Sequence, residues 1–142
     1  DQTDPAGAVN TSVAGSMPVV ARTITQDQLN AYAQVSGDLN PLHLDAQFAA
    51  TTQFGGIIAH GMLTLAFISE MMAGEFGKPW LESGSFRVRF KGAAYLGDSV
   101  ETSGRVEKEE NKPDGNHLTC AVGVSNRNGQ ALVSGTATVL KK

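Results

Sequence analysis

The chain has 142 residues, a formal charge of −3 and only 18% charged side chains against 41% hydrophobic ones. That length suits one domain with one core, burying roughly 68–70% of the surface its unfolded chain exposes, and the acidic balance excludes the basic face of a nucleic-acid binder. The single cysteine, Cys120, excludes an internal disulfide, and no apolar run approaches the ~20 residues that cross a bilayer, so the sequence reads as soluble and cytoplasmic.

Residues 1–16, "DQTDPAGAVNTSVAGS", are small, polar and aperiodic, and read as a flexible leader or linker before a domain over 17–142. "PVVARTI", 18–24, predicts a first strand. Thr25 and Gln28 have capping-box spacing, and Leu29, Tyr32, Ala33 and Ser36 share one helical face, which predicts a helix over 26–36 stopped by Gly37. Pro41 keeps Asn40 out of the helical region, and Asp45 is placed to cap a short helix, "AQFAATT".

From Gly61 to Phe76 the residues are apolar nearly all round, which predicts a long helix buried on most faces. The period then changes. "SFRVRFK" alternates Phe86, Val88 and Phe90 with Arg87 and Arg89, and "SVETSGRVEKE", "HLTCAVGVSN" and "QALVSGTATVL" follow as strands separated by turn residues. One strand, helices, then a meander of strands is an α+β order, with the long helix facing an antiparallel sheet.

Chemistry concentrates in "VSGDLNPLHLDAQFAATTQFGGIIAHGM", where two Asp and two His stand among small apolar residues. Asp38 and His43 lie five apart across a Pro-containing bend that can aim both side chains into one cavity. Imidazole titrates near neutral pH and a carboxylate in apolar surroundings rises towards it, so the pair suits general acid–base work. Turn formation alone also accounts for Asp, Asn and Pro at such positions. His60 and Gly61 precede the long helix, whose free amides can hold an oxygen as it gains charge; tight helix–sheet packing accounts for a glycine there equally well. Ser69, two turns further along, can face the same cavity but lacks the elbow of a serine nucleophile. Asp38, His43, Asp45 and His60 together offer metal ligands, though without any compact ligand motif, and no metal is expected.

"SGDLNPLHLD" followed by "FGGIIAHGML" resembles the signature of the MaoC-like, (R)-specific enoyl-CoA hydratases. The resemblance covers about Tyr32 to Ser69 closely, and strand order extends it over roughly 18–140. It implies a hot dog fold, an antiparallel sheet wrapped around the long central helix, with a short helical overhang carrying the catalytic residues. It further implies Asp38 and His43 as a catalytic pair that adds water syn to a trans-2-enoyl thioester, giving a (3R)-3-hydroxyacyl product. In the same pattern the Gly61 amide meets the thioester carbonyl, Asn40 orders the bend, and Ser69 lies near the site. Which of Asp38 and His43 takes the water proton stays open. No cofactor is implied, coenzyme A being part of the substrate, and a homodimer joined by sheet extension is expected.

Three other readings compete with this one. The same site can act as a (3R)-hydroxyacyl-[acyl carrier protein] dehydratase, with Arg87, Arg89, Lys91, Lys141 and Lys142 meeting either CoA phosphates or an acidic carrier. The fold can serve as a non-catalytic acyl-thioester-binding or assembly module. A thioesterase would take its carboxylate from the central helix, where Glu70 is the candidate.

Overall fold

The structure, a computed structural model, describes residues 16–142. Of the expected leader only Ser16 falls within them, and it forms a β-bridge with Arg105; residues 1–15 lie outside. The chain runs β1 (Ala21–Thr23), α1 (Gln26–Ser36), a 3-10 turn (Pro41–His43), α2 (Ala46–Ala50), α3 (Gly61–Phe76), α4 (Lys78–Ser83), β2 (Ser85–Phe90), β3 (Ser99–Lys112), β4 (Gly115–Asn126) and β5 (Ala131–Lys141). The strands form one antiparallel sheet in the order β1-β3-β4-β5-β2. This is the α+β architecture expected from the sequence.

Local chemistry accounts for the helix ends. Thr25 Oγ1 accepts from Gln28 N while Gln28 Oε1 accepts from Thr25 N, the reciprocal capping box at the start of α1. Asp45 accepts from Gln47 N and Phe48 N at the start of α2. The short helix α4 was not anticipated. It sits between Gly77 and Gly84, a stretch given no element from sequence, and its Pro79 is a first-turn helix residue rather than a breaker. The first strand is shorter than "PVVARTI" suggests. Pro18 brings no N–H to a ladder, and at Val20 the N–H donates to the Thr102 hydroxyl in place of a backbone carbonyl.

The core lies between the inner face of the sheet and α3. Leu118, Cys120, Val122 and Val124 alternate along β4 towards Ile68, Met71 and Met72 of the helix. Each side chain of this kind contributes about 1.5–3 kcal/mol when fully removed from water. At Gly104 of β3 a Cβ would lie 2.5 Å from the Met71 methyl carbon and 3.0 Å from the Met17 sulfur, so the glycine leaves room for the ends of both methionines against the sheet. The expectation that α3 is buried on most faces needs correction. Its buried residues, Thr64, Phe67, Ile68, Met71 and Met72, form one stripe, while Ala66 is exposed and Met62 is 57% exposed. One chain supplies one sheet, and a sheet covers one side of a helix. β2 pairs with β5 alone, so its other edge has no strand partner among the described residues.

Candidate active site

The bend that follows α1 is built from side-chain to backbone hydrogen bonds. Gly37 closes the helix at φ 79°, a conformation that favours glycine, and its N–H donates to the Ala33 carbonyl. Asp38 N donates to Ser36 Oγ, Asn40 N donates to Asp38 Oδ1, and Leu42 N donates to Asn40 Oδ1. Asn40 is thus tied on both sides, and its own carbonyl accepts from His43 N. These overlapping turns leave Asp38 exposed on the rim and carry His43 inward, where its side chain is buried. Gln26 Nε2, from the start of α1, donates to the His43 carbonyl and anchors the far end of the bend.

His43 and His60 stack face to face, with ring centroids 3.9 Å apart and planes inclined by 27°. His43 Nδ1 lies 2.7 Å from the Ile58 carbonyl, which can only accept, so Nδ1 carries the proton and Nε2 of the neutral ring holds a lone pair. His60 has the opposite arrangement. Its Nε2 donates to the Asp38 carbonyl at 3.1 Å, and its Nδ1 is buried without a hydrogen-bond partner. Burial is the main cause that holds the His60 pKa below that of a free imidazole; the nearby His43 pushes the same way, while the bond to Asp38 and its charge oppose. Tyr32 of α1 also packs against His60, with ring centroids 4.8 Å apart and planes inclined by 57°.

The Asp38 carboxylate and one nitrogen from each of His43 and His60 lie within 4.8 Å of one another. Asp45, the fourth member of the metal set considered from sequence, instead caps α2. Nitrogen lone pairs lie in the ring planes, and two stacked rings aim them along nearly parallel sheets rather than at one point. That is a poor tetrahedral ligand set.

Gly61 is the first residue of α3, and no side chain caps this helix end. The first-turn amides therefore present the positive end of the helix dipole beside the imidazole pair. Phe90, at the end of β2, lies against Gly61: a Cβ there would meet its ring at 3.3 Å. The Ser69 hydroxyl accepts from Trp80 Nε1 of α4. Glu70 is ion-paired with Arg22 of β1 and hence is not a free carboxylate on the central helix. Burial pushes the Cys120 thiol up to about 11, which makes it a packing residue rather than a nucleophile.

Residues 10–128 match the family profile described as MaoC like domain. An (R)-specific enoyl-CoA hydratase of Rhodospirillum rubrum is 31% identical over 128 residues, covering 89% of this chain and 85% of that protein. A 3-hydroxybutyryl-CoA dehydratase of Methylorubrum extorquens is 33% identical over 113 residues, covering 77% and 71%. The chain belongs to the MaoC-like domain family. Its fold agrees: the R-hydratase PhaJ1 from Pseudomonas aeruginosa, in the unliganded form, superposes with a TM-score of 0.76 at 34% identity over 92% of this chain and 81% of that one. The MaoC-like chain has the hot dog fold and is a hydro-lyase of the hydratase/dehydratase type.

Within this MaoC-like domain the signature segments become one structural unit. The bend holding Asp38 and His43 leans on segment 57–61, which hydrogen-bonds to loop 94–96 through Ala59 N to Ala94 O and Leu96 N to Ile57 O. Sequence reasoning did not find the side-chain partnership of His60 with His43, nor the seat of Phe90 over Gly61. The available signal was a buried-type histidine set between Ala59 and Gly61 with no turn role of its own. No helix among the described residues is long and apolar enough to cross a membrane.

Proposed function

We propose that this hydro-lyase hydrates trans-2-enoyl-CoA reversibly to (3R)-3-hydroxyacyl-CoA, with Asp38 and His43 as the catalytic pair and Gly61 as the carbonyl-binding residue. One observation carries the reading. His43 is held as the Nδ1–H form, which leaves its free lone pair on Nε2, and the ring has a nitrogen within 4.8 Å of the Asp38 carboxylate, close to an uncapped helix start. A water bonded to both groups at about 2.8 Å, at a tetrahedral angle, spans roughly 4.6 Å, which is within that 4.8 Å limit.

In the forward direction Nε2 takes one proton from that water as its oxygen bonds Cβ of the enoyl group. The π electrons move to the thioester oxygen, where the Gly61 N–H meets the developing negative charge. The imidazolium formed on His43, stabilised by the Asp38 carboxylate, returns its proton to Cα from the same face, and the carbonyl re-forms. Water is consumed whole and the addition is syn. Asn40 supports the geometry through its two backbone bonds, and Ser69 supports the helix through Trp80. The exposed Met62 and Phe90 beside Gly61 suit an apolar acyl chain. No cofactor is needed.

The deciding assay follows loss of enoyl-thioester absorbance on crotonyl-CoA, with product coupled to an (R)-specific 3-hydroxyacyl-CoA dehydrogenase. Coupled signal is expected. A chain silent on short and longer acyl-CoAs but active on acyl carrier protein thioesters would move the assignment to a (3R)-hydroxyacyl-[acyl carrier protein] dehydratase. The exposed Arg87, Arg89 and Lys91 suit either thioester carrier. Silence on both carriers would leave an acyl-binding or assembly module.

The open edge of β2 and the exposed outer side of α3 support a homodimer in which two sheets join edge to edge, since an unpaired strand edge otherwise invites aggregation. Sedimentation equilibrium should return twice the chain mass. A monomer at micromolar concentration would remove this part of the proposal.

A further inference from the structure

The hydrogen bonds of Asp38 to Ser36 and Asn40 are strictly local, between residues two apart in an exposed bend. Such turns fix the shape of the bend but not its position relative to α3. Among the described residues the hydrogen bond that reaches Asp38 from elsewhere in the fold comes from His60, through Nε2 to the Asp38 carbonyl. The same imidazole supports the face of the His43 ring at 3.9 Å and packs against Tyr32 at 4.8 Å. The backbone of His60 leads directly into Gly61 and accepts from Leu63 N and Thr64 N in the first turn of α3. His43 is tied to the same segment by Ile58.

We infer that His60 is a positioning residue, which holds the Asp38 carbonyl and the His43 ring in register with the Gly61 amide. The inference rests on the hydration reading of the site. Proton transfer at Asp38 and His43 and charge stabilisation at Gly61 must act on two ends of one short enoyl thioester, so their separation has to be fixed. Misplacement by about 1 Å costs on the order of 10²-fold in rate even when every reacting group is present. A single side chain that bonds one half of the site while its main chain builds the other sets that separation directly. An additional proton on His60 would place a second cation against the His43 imidazolium that forms during turnover, and burial lowers the His60 pKa, which opposes that proton.

Three substitutions separate the hydrogen bond from the ring. His60→Phe keeps a ring for the stack and removes the donor. His60→Gln loses the ring and keeps an amide donor near the reach of Nε2, whereas His60→Asn places its amide near Nδ1 instead. On crotonyl-CoA, His60→Phe is expected to lower kcat about tenfold or more, as loss of one hydrogen bond would, with KM within about twofold of wild type. His60→Gln should recover most of that loss, and His60→Asn should not. Wild-type turnover in His60→Phe, or equal losses in the Gln and Phe variants, would overturn the inference.

A second measurement needs neither substrate nor variant. Long-range ¹H–¹⁵N spectra of the wild-type chain at neutral pH should show His60 protonated on Nε2 and His43 on Nδ1, opposite forms in adjacent rings. Finding His60 protonated on Nδ1 removes the bond to Asp38 whatever the enzyme acts on. If wild type fails to hydrate crotonyl-CoA while the spectra show opposite forms, the substrate assignment falls and the positioning geometry stands.

Discussion

Asp38→Asn is expected to lower kcat/KM for crotonyl-CoA by at least about 10²-fold, at the low end of the 10²–10⁴ that positioned proton transfer supplies. The substitution is nearly isosteric. The amide oxygen can still accept from Asn40 N, as Oδ1 does now, so the bend keeps its shape. What disappears is the negative charge that, in the proposed mechanism, holds the attacking water and stabilises the imidazolium on His43. The matching change at His43 should be Asn as well as Ala. His43→Asn can still donate to the Ile58 carbonyl, whereas His43→Ala leaves that carbonyl without its side-chain partner, at a cost of about 1–3 kcal/mol. A loss of at least about 10²-fold in both His43 variants, with an unchanged melting curve for His43→Asn, would assign the effect to chemistry rather than folding. Near-normal turnover in a folded Asp38→Asn or His43→Asn chain would dissolve the catalytic pair.

These expectations came within reach of the sequence because the bend is a local object. Gly37, Asp38, Asn40 and Pro41 set their conformation within a few residues, by a left-handed glycine, two side-chain caps and a fixed proline φ. The ends of α1 were legible for the same reason, in the Thr25 and Gln28 capping box and the left-handed Gly37. What escaped depends on residues far apart in the chain. The His43–His60 stack joins positions seventeen apart, and the opposite protonation of the two rings is set by carbonyls of Ile58 and Asp38. Ser69 lies two turns along α3 from Gly61 and shares its helix, yet Trp80 on an unanticipated helix claims its hydroxyl. The apolar circumference of α3 promised burial all round, but hydropathy does not say whether the covering surface belongs to the same chain. Its exposed Met62 is therefore as informative as its buried Met72.

Gly61→Pro set against Gly61→Ala isolates the remaining element, the amide at the start of α3. Position 61 tolerates proline better than any other in the helix. The N–H of a first helical residue has no partner within the helix, and the fixed proline φ suits it. His60, at φ −58° and ψ 134°, already has the extended conformation that a residue before proline requires. Both substitutions add a Cβ that meets the Phe90 ring at 3.3 Å, and Phe90 is 52% exposed and free to yield. The Cβ contact is thus common to both, whereas proline alone deletes the N–H and adds the two further ring carbons. Relative to Gly61→Ala, Gly61→Pro is expected to lose a further 10²–10³-fold or so in kcat, the usual cost of one donor to a developing oxyanion. Equal activity in the two variants would mean that the thioester carbonyl is held by some other group, and that the glycine serves the close seat of Phe90 against the helix start.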